Sequence, residues 1–382
     1  MCGIAGWLDR YTDLSQKQSV INSMVATMKS RGPDQEGVFL NSDNTVCLMH
    51  RRLTVIDPQG GTQPMTKEDK HRKCTIVYNG ELYNTKELTE QLTQAGYSFG
   101  THSDTEVLLT AYLHWGEDCV EKLNGIFAFA IYEHNTGKLF IARDRIGVKP
   151  FFYYYYKGGL VFGSEIKALL KCPKVKPVVD EQGLMDVFFI GPGRSLGQGI
   201  FKNVEELLPG ECASYKDGVL KKHKYFKLVA KPHIHNKDEA IGYTRFLLKD
   251  AITRQLISDV PLCTFLSGGL DSSIISAVSA DYYRKNCKGI LTTYSVDYKD
   301  NEKYFEKSLF QPNSDSDFIK LISDFAGTNH KNVILDNHSL YYALYDSVKA
   351  RDLPAMTDVD SSLLLFCKEV KKDFTVALSG EC

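Results

Sequence analysis

The hydrophobic positions along the chain follow two different rhythms. Up to about Tyr225, short apolar runs alternate with turn residues, and this pattern predicts strands. The clearest runs are 75–78, 127–132, 139–142, 151–156 and 160–162. Stretches with helical periodicity lie between them, at 16–28, 85–95 and 105–114. Strands grouped with a few long helices predict an α+β domain in which helices are layered on antiparallel sheets.

From about residue 237 onward, helical and strand patterns alternate. Helices are predicted at 239–256, 272–283, 317–325, 339–349 and 361–371, and strands at 262–266, 291–296, 332–335 and 375–378. This alternation predicts an α/β domain with a parallel sheet and right-handed crossovers. Residues 229–237 lack periodicity and are predicted to link a domain at 1–228 to one at 238–382.

Composition excludes several classes of protein. The 382 residues are 43% hydrophobic and 24% charged, as in ordinary globular proteins. A net charge of −1 gives no reason to expect nucleic acid or a membrane surface as a partner. No apolar run approaches the roughly 20 residues of a spanning helix, and no signal peptide is recognisable, so a cytoplasmic location is predicted. The ten cysteines include no C-x-x-C pair, and most are expected to be buried thiols.

Cys2 differs from the other cysteines because of its position. If Met1 is removed, Cys2 carries an α-amine beside its own thiol, and such an amine has a pKa of about 7.7–8.0. The amine can accept the thiol proton and so activate a nucleophile without a histidine. A cysteine at position 2 also occurs by chance in many proteins, so this residue alone does not decide the function.

Five short motifs, the first of which contains Cys2, follow one another in a characteristic order. They are Cys2-Gly3-Ile4-Ala5-Gly6, Arg31-Gly32-Pro33-Asp34, Arg52-Leu53-Thr54-Val55-Ile56-Asp57, Tyr78-Asn79-Gly80-Glu81-Leu82-Tyr83-Asn84 and Ser103-Asp104-Thr105-Glu106-Val107. In order and spacing the set resembles the class II glutamine amidotransferases, which use an N-terminal cysteine nucleophile. The resemblance covers the whole first domain and implies a four-layer αββα fold.

The resemblance also implies a role for individual residues. Cys2 would form a γ-glutamyl thioester, and Asn79 with the Gly80 amide would form the oxyanion hole. Glutamine would be bound by Arg52 at its α-carboxylate and by Asp104 with Glu81 at its ammonium group. The remaining glutamine-binding positions would be Leu53, Thr54, Val55 and Ile56. Simpler alternatives are a surface Arg52, an Asp104 that caps a helix, and a hairpin turn at Asn79-Gly80.

A second motif lies between a predicted strand and a predicted helix. Leu266-Ser267-Gly268-Gly269-Leu270-Asp271-Ser272-Ser273 would aim backbone amides and the helix dipole at an anion. The motif resembles the pyrophosphate loop of the ATP pyrophosphatases, which implies an adenine-nucleotide α-hydrolase-like fold. The resemblance implies ATP contacts at Leu266, Ser267, Gly268, Gly269, Asp271, Ser272, Val296, Ser379 and Gly380. Asp271 would also hold Mg²⁺, although it suits the first turn of a helix in any case, and Leu266 and Val296 equally suit a strand core.

Further motifs narrow the resemblance to the asparagine synthetase group. They are Ala142 to Pro150, Phe162 to Leu169, Leu208-Pro209-Gly210 and Asp259-Val260-Pro261. The resemblance implies glutamine, aspartate and ATP as substrates, with Glu381 involved in forming β-aspartyl-AMP, and a homodimer as one assembly. The family pattern continues beyond Glu381, where this chain has Cys382. We therefore expect a fragment of a longer protein that keeps glutaminase activity and has little synthetase activity.

Three other functions compete with this one, and the motif at 267–273 argues against the first of them. Class II amidotransferases that act on sugar phosphates, on phosphoribosyl pyrophosphate or in glutamate synthesis share the first domain but do not need the second motif. Relatives that adenylate another carboxylate include β-lactam-forming synthetases and enzymes of cell-surface polymers. A non-catalytic sensor of glutamine or nucleotide is the third alternative.

Overall fold

The computed structural model describes residues 1–306, 315–354 and 356–380. The chain forms two compact units, Met1–Ala230 and Lys231–Cys382. The predicted linker at 229–237 includes the point of division, and its exact bounds stay a prediction. In the part of the chain that is described, no helix is long and apolar enough to cross a membrane.

The first unit consists mainly of antiparallel strands. These are β1 Gly3–Asp9, β2 Gln35–Leu40, β3 Val46–Arg52, β4 Met65–Glu68, β5 Lys73–Leu82, β6 Gly125–Glu133, β7 Leu139–Arg143, β8 Phe152–Tyr156, β9 Gly159–Gly163, β10 Val204–Glu206, β11 Glu211–Lys216 and β12 Val219–Lys224. The helices are α1 Gln18–Thr27, α2 Thr85–Gln94, α3 Asp104–Trp115, α4 Cys119–Lys122, α5 Ile166–Leu169 and α6 Glu181–Met185, which continues into a π-helical turn, Asp186–Ile190.

These strands form two six-stranded sheets. The orders are β10-β8-β9-β1-β3-β2 and β12-β11-β7-β6-β5-β4. One apolar core lies between the sheets, and a second lies between the β5–β6–β7 face and helices α2 and α3. Helices α1 and α5 contact the outer face of the first sheet. The four-layer αββα fold expected for the first domain is therefore confirmed.

The strand before Asn79-Gly80 is longer than the apolar pattern predicts. β5 continues through both residues to Leu82, and Asn79 and Gly80 are paired with Ala128 and Phe127 of β6. The hairpin-turn alternative is therefore wrong. The strand continues because β6 supplies a pairing partner along its whole length, whereas an Asn-Gly pair by itself favours a turn.

The second unit alternates helices and strands. The helices are α7 Lys237–Arg254, α8 Leu270–Lys285, α9 Asn301–Tyr304, α10 Asp315–Ala326, α11 Asn337–Arg351 and α12 Thr357–Val370. The strands are β13 Leu262–Phe265, β14 Thr292–Tyr298, β15 Asn329–Leu335 and β16 Val376–Leu378.

The four strands of the second unit are all parallel, in the order β15-β14-β13-β16. One core packs α8 and α10 on one face of the sheet, and a second packs α12 on the other. The expected α/β fold is confirmed. The strand order changes direction at β13, and open α/β sheets bind ligands outside the carboxyl ends of strands at such a point.

Candidate active site

Cys2 lies at the start of an interior strand of the first sheet. Because β1 is hydrogen-bonded between β3 and β9, the residue that precedes it is held at a fixed strand end. The Cys2 Sγ accepts a hydrogen bond from Leu53 N at 3.4 Å and lies 3.6 Å from Leu53 O. Burial raises the pKa of the Cys2 thiol. The resting thiol is therefore protonated, and attack on a carbonyl requires a base.

The terminal amine is suited to be that base. Burial lowers the pKa of the Met1 amine to about 5, and the cations of Lys149 and Arg31 act in the same direction, whereas Cys2 and Glu81 oppose them. We expect the same surroundings to act on the α-amine of Cys2 once Met1 is removed. An amine with a low pKa is uncharged at neutral pH and can take up a proton.

The Asn79 side chain is buried and unsatisfied. Only 1% of the residue is exposed, and neither Nδ2 nor Oδ1 has a hydrogen-bond partner in the described part of the chain. A buried polar group without a partner costs about 1–3 kcal/mol, and native proteins rarely leave one without a reason. A ligand carbonyl that accepts from Nδ2 would satisfy the donor and lower this cost.

Only glycine fits beside Asn79. A Cβ on Gly80 would lie 2.4 Å from Ile126 O and 2.6 Å from the Tyr78 ring. The strand backbone at Gly80 is therefore packed against β6 without an intervening side chain. This packing fixes the position of the amide that was predicted to be the second oxyanion donor.

Asp104 is the first residue of α3, and it does not cap the helix. Ser103 is the cap, because its Oγ accepts from Glu106 N at 3.3 Å. The Asp104 Oδ2 instead accepts from Tyr78 Oη at 2.9 Å and from Leu82 N at 3.2 Å. Burial raises the pKa of Asp104 to about 6, so the carboxyl group is ionised at neutral pH. The capping alternative for Asp104 is wrong.

Asp104 shares its surroundings with two other predicted site residues. Burial raises the pKa of Glu81, and the charge of Asp104 adds to that effect. The charges of Asp104 and Arg52 also act on the Cys2 thiol, in opposite directions. The structure therefore brings these predicted residues into one electrostatic neighbourhood.

Arg52 is buried, with 4% of the residue exposed, so the surface alternative is wrong. Its Nη1 donates to Gln35 Oε1 and Pro58 O, both at 3.0 Å. Its Nη2 donates to Ile56 O at 3.1 Å and Asp57 O at 2.6 Å. The guanidinium thus shapes the loop that contains Thr54, Val55 and Ile56. A glutamine carboxylate could bind Arg52 in a bidentate manner only by replacing some of these bonds.

Two residues beside Cys2 were not assigned a role from the sequence. Arg31 Nη1 donates to Cys2 O at 3.4 Å, and its Nε donates to Glu165 Oε1 at 2.7 Å. In the sequence, the motifs that contain Arg31 and Glu165 served only to recognise a family. The two residues are 134 positions apart, so no local pattern indicates that they are in contact. The pair connects the loop after α1 to the segment after β9, next to the cysteine.

In the second unit, the glycine motif connects β13 to α8 as predicted. Gly268 has φ +82°, a value that favours glycine, and a Cβ there would lie 3.0 Å from Asp315 O. Gly269 is the N-cap of α8, and because it has no side chain it does not cap the helix with a hydrogen bond. Ser272 Oγ accepts from Ser267 N at 3.2 Å and closes the loop. Exposed Asp271 lies in the first turn of α8.

The segment after β16 lies against the same loop. A Cβ on Gly380 would lie 2.9 Å from Ser272 N and 3.1 Å from the Cβ of Asp271. Ser379 precedes this contact, whereas Glu381 lies outside the described residues. The structure thus brings Ser379 and Gly380 to the glycine motif.

Leu266 directly follows β13, and Val296 lies within the neighbouring strand β14. Leu266 is buried and donates through its backbone to Tyr294 O at 2.8 Å, whereas Val296 of β14 is partly exposed. The buried side chain of Leu266 is consistent with the alternative that it belongs to the apolar core. A nucleotide could then contact only the backbone of Leu266.

Comparison with known proteins covers both units. Residues 1–226 match a family described as glutamine amidotransferase domain, and residues 244–382 match one described as asparagine synthase. Asparagine synthetase [glutamine-hydrolyzing] 3 of Bacillus subtilis is 47% identical over 382 residues, which is 100% of this chain and 62% of that protein. A putative asparagine synthetase 2 of Methanocaldococcus jannaschii is 33% identical over 377 residues, covering 94% of this chain and 67% of that protein. The chain belongs to the glutamine-hydrolysing asparagine synthetase family.

The resemblance seen in the motifs is thus confirmed, and the more distant class II amidotransferases are not favoured. The chain spans 62% and 57% of the lengths of two asparagine synthetases of B. subtilis. Among solved structures, an allosteric regulatory enzyme of purine biosynthesis aligns with a TM-score of 0.46 and 15% identity, over 88% of this chain and 80% of that one. A similarity at that level adds nothing to the asparagine synthetase assignment.

Proposed function

We propose that this chain hydrolyses glutamine at Cys2, and that the ammonia serves the synthesis of asparagine from aspartate and ATP. The single observation that carries the glutaminase proposal is the unsatisfied carboxamide of Asn79. Asn79 lies two residues before Glu81 in β5. The charge of Glu81 acts on the terminal amine next to Cys2, which indicates that this part of β5 lies near the nucleophile. Amide hydrolysis requires a nucleophile, a base and a hydrogen-bond donor for the oxyanion, and Cys2, its α-amine and Asn79 would supply them.

The proposed reaction starts with transfer of the Cys2 thiol proton to its α-amine. The thiolate attacks the glutamine side-chain carbonyl, and the oxyanion accepts hydrogen bonds from Asn79 Nδ2 and the Gly80 amide. The ammonium group returns the proton to the leaving nitrogen, so that ammonia departs and a thioester remains on Cys2. Water, deprotonated by the same amine, then hydrolyses the thioester to glutamate and regenerates the thiol.

Substrate binding is proposed to use the charged residues around the thiol. Asp104, with Glu81, would hold the α-ammonium of glutamine, and the pKa of about 6 leaves Asp104 ionised for this purpose at neutral pH. Arg52 would bind the α-carboxylate or hold Leu53 to Ile56 in the shape that does so. Because Leu53 N already contacts Cys2 Sγ, this loop connects substrate binding to the nucleophile.

The second unit is proposed to bind ATP at its glycine motif. Backbone amides at the N-terminus of α8 would meet the phosphates, and Ser379-Gly380 would contact the nucleotide from the neighbouring strand. Within the described residues no cluster of three metal-ligating side chains occurs. A single exposed Asp271 nevertheless fits Mg²⁺, which keeps several waters and needs only one or two carboxylates beside substrate phosphates. Bound there, Mg²⁺ would neutralise charge on the departing pyrophosphate.

A glutamate assay tests the glutaminase proposal. Wild-type chain should release glutamate from glutamine, and a diazoketone analogue of glutamine should alkylate Cys2 and stop the reaction. Glutamine binding without glutamate release would favour the sensor alternative instead. A fluorescent ATP analogue with and without Mg²⁺ tests the nucleotide site separately. A homodimer and a cytoplasmic location stay predictions.

A further inference from the structure

The loop after β7 is held by one buried carboxylate. Asp144 Oδ1 accepts from Ile146 N at 3.2 Å and Val148 N at 2.9 Å, and its Oδ2 accepts from Lys149 N at 2.9 Å. Oδ2 also accepts from Phe127 N at 3.2 Å, which ties the loop to β6. A carboxylate that binds four backbone amides leaves this loop little conformational freedom.

A buried guanidinium binds the same loop through its carbonyl groups. Arg143 Nε donates to Lys149 O and Nη2 donates to Gly147 O, both at 2.7 Å. Its Nη1 donates to Leu207 O at 2.6 Å, and Glu206 balances its charge at 3.1 Å. Two adjacent charged residues are thus used to fix one short loop. Such a rigid support indicates that the side chain the loop presents has a defined position.

That side chain is Lys149, and it is directed to the start of the chain. Only 5% of the residue is exposed, and its Nζ donates to Met1 Sδ at 2.9 Å. In the described part of the chain, no ion pair includes Lys149. An ammonium group that is buried without a carboxylate partner is costly, and it is rarely kept for stability alone.

We propose that Lys149 is a positioning residue of the glutaminase site, whose buried ammonium keeps the neighbouring α-amine of Cys2 uncharged after Met1 is removed. The inference rests on the proposed glutaminase function. Placing a second positive charge on the amine beside a fixed cation is unfavourable, so the amine remains a base. The thioether of Met1 is a weak, neutral partner, and after its removal the charge of Lys149 still acts on Cys2, with which it already interacts.

Other charged groups around the amine also affect its pKa. Burial has the largest effect and lowers the pKa of the amine; Lys149 and Arg31 act in the same direction, and Cys2, when ionised, and Glu81 oppose them. Burial lowers the pKa of Lys149, and the charge of Arg31 acts in the same direction, whereas Glu81, Cys2 and Asp144 favour its charged form. Of the two cations near the amine, Arg31 is paired with Glu165, whereas Lys149 has no ion pair within the described residues, so its removal changes the charge at the amine without breaking one.

The test is the pH dependence of glutaminase kcat/KM in the full 382-residue chain. Lys149→Met keeps the length of the side chain and removes its charge, and Lys149→Arg keeps the charge. Lys138→Met is the matched control, because Lys138 pairs with Glu117 and Glu133 and does not face the terminus. The rate of Cys2 alkylation by the diazoketone, measured over the same pH range, gives a readout that does not need turnover.

In Lys149→Met we expect the acidic limb of both profiles to move to higher pH, with the alkaline plateau unchanged. On the acidic side, each unit of displacement lowers the rate about tenfold, because the fraction of uncharged amine falls by that factor. Lys149→Arg and Lys138→Met should follow the wild type. An unmoved limb, or an equal fall at every pH, would overturn the inference while glutamate release by the wild type upholds the proposed function. Absence of release by the wild type would overturn both.

Discussion

The two candidate sites use the chain in opposite ways. Around Cys2 the structure buries charged and polar side chains, such as Asp104 and Arg52, and holds each with specific partners. At the glycine motif of the second unit it presents backbone amides and a helix N-terminus, beside an exposed Asp271. Burial raises the pKa of Asp104 to about 6, which shows how strongly the first site acts on a single side chain. A substitution removes a side chain but leaves a backbone amide in place. We therefore expect single side-chain substitutions to have large effects at the first site and modest effects at the second.

Cys2→Ala should have the largest effect. We expect glutamate release to fall at least about 10⁴-fold, because no other group can form the thioester. Binding of a fluorescent ATP analogue should be unchanged. Undiminished glutamate release would contradict the assignment of the nucleophile, and so would mass spectrometry that finds fully active protein with Met1 attached.

Asn79→Ala should lower glutaminase kcat by about 10²–10³-fold, the usual loss for one oxyanion donor. The free energy of unfolding of the Asn79→Ala variant should fall by less than is typical when a buried, hydrogen-bonded side chain is removed. The reason is that the Asn79 side chain has no hydrogen-bond partner to lose within the described residues. Calorimetric melting and steady-state kinetics measure the two effects.

Asn41 is the matched control for Asn79. It is also buried, but its Oδ1 accepts from Thr45 N at 2.8 Å and Val46 N at 2.9 Å. Asn41→Ala should lower the free energy of unfolding by about 1–3 kcal/mol and leave kcat unchanged. The opposite pattern in the two variants would contradict the oxyanion role.

Asp104→Asn should raise the KM for glutamine by about tenfold at pH 8, the loss of one charge-assisted contact. As pH falls through about 6, the wild-type carboxyl takes up a proton, so its KM should rise towards that of the variant. Because the folded-state pKa lies above the unfolded value, ionisation of Asp104 lowers stability as pH rises, and the variant avoids this loss. A KM difference that is independent of pH would show that the charge of Asp104 does not bind substrate.

Gly268→Ala should have the smallest effect. We expect ATP affinity to fall up to about tenfold and stability to fall by about 1 kcal/mol, because alanine disfavours positive φ. Gly289 has φ +84° and open space around its Cβ position, so Gly289→Ala should lose stability through the positive φ alone and keep its ATP affinity. Equal ATP affinities for the two variants would argue against nucleotide binding at this loop.

The strands and helices that the sequence predicted are present in both units, because their periodicity is local, whereas strands such as β1 to β4 and β10 to β12 were not predicted individually. The glycine motif was placed between β13 and α8 for the same reason. The sequence could not show that Asn79 and Gly80 lie within a strand, because that depends on pairing with β6, about 48 positions away along the chain. The positions of Arg31, Glu165 and Lys149 beside Cys2 likewise depend on contacts between distant segments, which periodicity does not report.

The support of Lys149 by Arg143 and Asp144 has a consequence for the way in which the proposed glutaminase site forms. The loop takes its shape only when β6 and β7 are paired and the carboxylate of Asp144 has reached Phe127 N. In a nascent or misfolded chain from which Met1 has been removed, Cys2 would therefore lack the cation beside it. In such a chain we expect the cysteine to behave as an ordinary thiol, so that full reactivity arises only after the first domain has assembled.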